Sequence, residues 1–245
     1  MVNKLRPTPP KGPKAKPPLT KAAVLARMAA HADPAAVAGK AGYGIDIANA
    51  FGLPTPFIRG LAKEIGRDQE LALALWRTGT PECRLLAPMI AVPAEFDDSV
   101  LETWVGELTS WDVCDGFCAS LVTKLPNARG KALAWSKREE EFVCRAGFAT
   151  MAWLAVYAKD TADKDFQPFL KRIERAADDP RRVVKKAVNW ALRQIGKRNG
   201  ALNAAAITTA ERILARDAGP ARWIARDALK ELRDPVHLAR IAARG

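Results

Sequence analysis

The sequence is poor in the residues from which many active sites are built. Its 245 residues include only two histidines, His31 and His237, and four cysteines, Cys83, Cys114, Cys118 and Cys144, with no Cys-x-x-Cys pair. A zinc site needs ligands more closely paired than these, so no metal or cofactor is expected. The cysteines read as small core residues, in keeping with a cytoplasmic, reducing location. No apolar run reaches the roughly 18 residues of a membrane span, and the N-terminus has no apolar leader, so no membrane association is expected. Period-two alternation is also missing, which argues against sheets. Acid is absent from one end of the chain: residues 1–21 hold six basic side chains and no Asp or Glu.

What is present is apolar bulk and localised positive charge. Hydrophobic residues make up 49%, enough for a sizeable core, and the net charge is +12. Residues 171–245 carry 18 basic and 8 acidic side chains, whereas residues 22–170 carry 15 and 19. Charge gathered at both ends of a chain favours a polyanionic partner. Residues 1–20 include six prolines. With so few apolar groups they are expected to form a disordered, basic arm ahead of one domain spanning 21–245.

From Thr20 the pattern turns helical. Thr20 caps a helix from Lys21 with Val24, Leu25 and Met28 on one face. Pro54 and Pro56 introduce a helix over 57–65, Asp68 caps one over 71–77 stopped by Gly79, and Thr80-Pro81-Glu82 opens the next. Asp97 or Asp98 begins another, and further helices are expected at about 111–123, 139–158, 165–177 and 181–198, with three more at the C-terminus. A dozen short-linked helices suggest an all-α stack of helical pairs whose curvature makes a concave surface.

Three stretches carry chemistry. In Ser110-Trp111-Asp112-Val113-Cys114-Asp115, Trp111 and Asp115 share a helix face, and Asp115 sits among apolar neighbours where a surface acid has no reason to be. In Phe142-Val143-Cys144-Arg145-Ala146-Gly147-Phe148, Arg145 is a lone cation on an apolar helix, which calls for an acidic partner or an anionic ligand. In the tract from Lys185 to Lys197, Trp190 shares a face with Lys186, Arg193 and Lys197, a pattern suited to a nucleic-acid groove and equally to a core tryptophan with snorkelling cations.

In this order and spacing the three stretches resemble the AlkD-type DNA alkylation repair family over most of residues 22–245. The resemblance implies a HEAT-like solenoid with a concave DNA-binding face, acting as a monomer on double-stranded DNA that contains alkylated purines. Trp111, Asp115 and Trp190 correspond to the family's catalytic residues, and Arg145 to its phosphate-binding arginine. Lys185, Lys186, Arg193 and Lys197 are the expected DNA contacts on the same helix, and residues 52–66, with Arg59 and Lys63, look like the family's N-terminal entry. Ser110 and Cys144 depart from the tryptophan and arginine common at those positions, and Arg182 and Val183 stand where some members carry aromatics.

The implied reaction is hydrolysis of the N-glycosidic bond of a cationic purine, with contacts to the lesion's sugar and backbone in place of base flipping. A base alkylated at N3 or N7 leaves neutral, so the two carboxylates usual in glycoside hydrolysis reduce to one. Two other readings stay open at this stage: a non-catalytic binder of damaged or branched DNA, and a scaffold for acidic proteins. The scaffold gives no reason for the Trp111/Asp115 face.

Overall fold

The computed structural model describes residues 19–41, 47, 49–216 and 219–243. Of the basic arm expected over 1–20, all but Leu19 and Thr20 lies outside them. The described residues form fourteen α-helices and no strand: α1 Lys21–Ala30, α2 Pro34–Ala41, α3 Thr55–Ile65, α4 Gln69–Trp76, α5 Pro81–Ile90, α6 Asp98–Gly106, α7 Trp111–Ser120, α8 Ala128–Trp135, α9 Glu141–Tyr157, α10 Gln167–Arg175, α11 Arg182–Gly196, α12 Gly200–Leu214, α13 Gly219–Leu232 and α14 Pro235–Ala242.

Their starts follow local chemistry. The side chains of Thr20, Asp68, Asp97, Asn199 and Asp234 each accept a backbone N–H of the first helical turn. Proline occupies an early position of α3, α5, α10 and α14, where its missing N–H costs nothing. Gly79, at φ 71°, gives the left-handed turn after α4. Two helices were not legible in the pattern, α2 and α8. Both are eight residues long, and α8 opens as Ala-Arg-Gly-Lys just after Pro126 and Asn127, with a buried stripe of only Ala128, Ala132 and Trp135.

Contacts that skip one helix define the architecture. α3, α5, α7, α9, α11 and α13 touch in succession and form one row, while α8, α10 and α12 form a second row behind it. The cross-pairs α4/α5, α8/α9, α10/α11 and α12/α13 join the rows into stacked helical hairpins, which makes the chain a solenoid.

The apolar interior has two parts that meet on α9. Val143, Ala146 and Ala149 face a cluster built from α1 to α8, whereas Phe148, Met151, Ala152 and Ala155 face one that runs on through α13. Burial on both sides explains why α9 is apolar all round. Gly147 allows the close approach this requires: a Cβ there would lie 2.3 Å from the backbone N of Ser136, beside α8. In the N-terminal part the rings of Trp76 and Trp104 stack with centroids 4.0 Å apart. The fully buried Glu82 carboxylate accepts the backbone N–H groups of Phe51, Gly52 and Leu53 at 3.1, 2.9 and 3.2 Å, which ties the approach to α3 onto α5.

Candidate active site

The front row puts Trp111 at the first position of α7 and Asp115 one turn later. Asp112, in the same first turn, accepts a 2.7 Å hydrogen bond from the buried Ser110 hydroxyl. Arg145 reaches Asp115 from α9: Nε donates to Oδ1 at 3.1 Å and Nη2 to Oδ2 at 2.8 Å. Its third group, Nη1, donates to the carbonyl of Val183 on α11 at 2.7 Å. One guanidinium therefore links three consecutive helices of the row. The pair is secluded, with 7% of the Arg145 side chain and 19% of the Asp115 side chain exposed.

Burial pushes the Asp115 carboxyl above its ordinary value, and the Arg145 guanidinium opposes that rise. For Arg145 burial works against the charge, but the Asp115 carboxylate, with the Cys114 and Cys118 thiols, outweighs it and its pKa goes up. These shifts weigh oppositely on the ion pair. The geometry decides for an ionised pair, because two parallel charge-assisted hydrogen bonds hold the carboxylate.

Two hollows open on either side of Asp115. The larger, about 780 Å³, is lined from α3, α5, α7, α9 and α11, which makes the row concave here. The smaller, about 320 Å³, lies over Arg145, Arg182, Val183 and Lys186. Trp111, Asp115 and Trp190 line both and form the ridge between them. Cations stand on both lips, with Arg59 and Lys124 on the larger hollow and Arg182 and Lys186 on the smaller.

Sequence reasoning missed Trp153 and Tyr157. The Trp153 indole donates to the backbone carbonyl of Asp115 at 3.1 Å, meets Trp190 edge-on with centroids 5.1 Å apart, and stacks on Tyr157 at 5.1 Å. Both line the larger hollow. The signal was present in the series Arg145, Ala149, Trp153, Tyr157, which steps four residues at a time along one face of α9.

The cationic stripe expected along α11 divides in the structure. Lys186 lines the smaller hollow with Trp190. Arg193 and Lys197 instead both pair with Glu231 of α13, and neither lines a hollow beside Asp115. The physical reason is that α13 packs on α11 and offers a half-buried carboxylate within reach of both cations. Lys185 also lies outside the two hollows, its ammonium 5.0 Å from the ring centroid of Trp223. Arg145 lines the smaller hollow, and three of its five N–H groups already donate within the protein.

A family model described as DNA alkylation repair enzyme matches residues 24–232. The chain belongs to this family. No curated protein matches it. Among solved structures it is similar to one described as a new family of proteins related to the HEAT-like repeat DNA glycosylases with affinity for branched DNA structures. That likeness has a TM-score of 0.72 at 20% identity and covers 79% of this chain and 83% of the other. The stacked hairpins are thus the HEAT-like fold of that class.

Proposed function

We propose that this family member is a DNA glycosylase that hydrolyses the N-glycosidic bond of cationic N3- or N7-alkylated purines in duplex DNA. The observation that carries this reading is a secluded carboxylate, Asp115, gripped by Arg145 on the ridge between two hollows and flanked there by Trp111 and Trp190.

The geometry supports the chemistry in four ways. The alkylated base departs as a neutral purine, so no acid has to protonate it. Positive charge then grows on the deoxyribose, where a fixed carboxylate in a water-poor site is most effective. A carboxylate has about four lone-pair positions, and Arg145 uses two, which leaves Asp115 able to orient a water toward the anomeric carbon. That water adds its oxygen to the sugar, the bond to the base breaks with its electron pair going to the base, and the surplus proton passes to solvent by way of the carboxylate. The indoles present electron-rich faces to a cationic sugar. Arg59 and Lys124 on one lip, with Arg182 and Lys186 on the other, supply phosphate contacts.

The decisive assay is single-turnover release of free base from duplex DNA containing N7-methylguanine, comparing wild type with Asp115→Asn. Wild type is expected to release the base, and the variant to lose about 10²-fold or more in rate while still binding DNA. Equal rates would remove Asp115 from the mechanism. If wild type releases neither N7-methylguanine nor N3-methyladenine yet binds DNA in a salt-sensitive way, a second reading takes over, that of a non-catalytic binder of branched DNA. The affinity named for the similar solved structure is the observation that favours it.

A further inference from the structure

Of the exposed large hydrophobics on helices, Trp223 is the single tryptophan, with 40% of its surface open, and it sits on α13 of the front row. The apolar clusters account for Trp76, Trp104, Trp135, Trp153 and Trp190, and the ridge for Trp111. Neither accounts for Trp223.

Its neighbours are charged. A hollow of about 410 Å³ beside it is lined by Gly219, Arg222, Arg226, Asp227 and Lys230. Arg226 and Lys230 lie one and two turns along α13 from the indole and form no ion pair among the described residues. The acid in this group, Asp227, already faces Arg193 at 3.6 Å. From α11, Lys185 sets its ammonium over the ring. Lys185 precedes Lys186, which lines the smaller hollow at Asp115, on the α11 helix that packs against α13, so one helix serves both the patch and the proposed DNA cleft.

We propose that Trp223 is a stacking platform for an unpaired nucleotide, with Arg226, Lys230 and Lys185 holding its phosphates. The proposal rests on the reading of the cleft as a DNA site and adds to it a preference for single-stranded DNA beside the duplex. An indole ringed by cations is not the contiguous apolar patch a protein partner would cover. Nor does an intact duplex use it well, because the faces of paired bases are hidden in the stack. An unstacked base offers its π-face, and such stacking tolerates any sequence.

The test measures binding of wild type, Trp223→Ala and Trp223→Phe to oligo(dT), to a duplex with a single-stranded tail and to a blunt duplex, with excision from a blunt lesion duplex run alongside. Trp223→Ala is expected to lose about ten-fold in affinity for oligo(dT) and the tailed duplex, and Trp223→Phe to restore most of it. Blunt-duplex binding and excision stay at wild-type levels. Unchanged oligo(dT) affinity in Trp223→Ala, or an equal loss on blunt duplex, overturns the platform. Wild type that excises from the blunt duplex but does not bind oligo(dT) overturns it too and leaves the glycosylase reading standing.

Discussion

Replacing Arg145 by methionine keeps the bulk of the side chain and removes every donor. The Asp115 carboxylate then loses two charge-assisted hydrogen bonds and its counter-ion, and the Val183 carbonyl loses its donor. Removing one partner of a buried ion pair costs about 3–5 kcal/mol. Asp115 keeps some access to water, so the lower end applies, about 3 kcal/mol near pH 8. The pH dependence has a definite sign. Burial already places the folded-state pKa of Asp115 above its ordinary value, so its ionisation weighs against the fold as pH rises through that pKa. Without Arg145 the pKa climbs further. At low pH the carboxyl takes up a proton and sheds the uncompensated charge, so the defect of the variant shrinks on acidification. Urea unfolding of wild type, Arg145→Met, Asp115→Asn and the double variant at pH 5 and pH 8 tests this. A coupling energy of about 2 kcal/mol at pH 8, smaller at pH 5, is expected. Additive single variants, or a defect independent of pH, would refute the ion-pair account.

Three further outcomes follow from the same geometry. Lys186→Ala should lower duplex affinity and reduce the slope of log affinity against log salt by about one, while Arg193→Ala, already neutralised by Glu231, should leave the slope near wild type; salt titrations of binding distinguish them. Glu82→Ala removes the carboxylate that accepts three backbone N–H groups, two of them buried, and should cost about 2–4 kcal/mol in chemical unfolding without changing the excision rate at permissive temperature. If Asp115 acts as a carboxylate, its burial-raised pKa shifts the acid limb of the excision profile upward from where an ordinary aspartate would put it, and activity falls as pH drops through it; a limb at the ordinary value would contradict that.

Much of the molecule was legible because its signals are local. Caps such as Thr20 and Asp68 sit within three residues of the groups they satisfy, and the Trp111/Asp115 pair is one helical turn apart. The need of Arg145 for a partner was readable from its apolar setting, but the partner was not, because Asp115 is thirty residues away. The same holds for the stripe on α11. Its spacing is correct, yet Glu231 lies 38 residues beyond Arg193 and takes both Arg193 and Lys197. Trp153 was passed over for the opposite reason. On a helix buried on both sides an aromatic looks like core, and only the fold shows its N–H turned to Asp115.

The position of Arg145 has a mechanical consequence. Solenoids flex because each rung leans only on its neighbours, and here the two apolar clusters share a seam at α9. Arg145 stands on that seam and staples α7 to α9 and α11. The junction of the two arms is therefore a polar rivet that is also the support of the carboxylate. The spacing of Trp111 and Trp190 across the two hollows is thereby tied to the same guanidinium that holds Asp115.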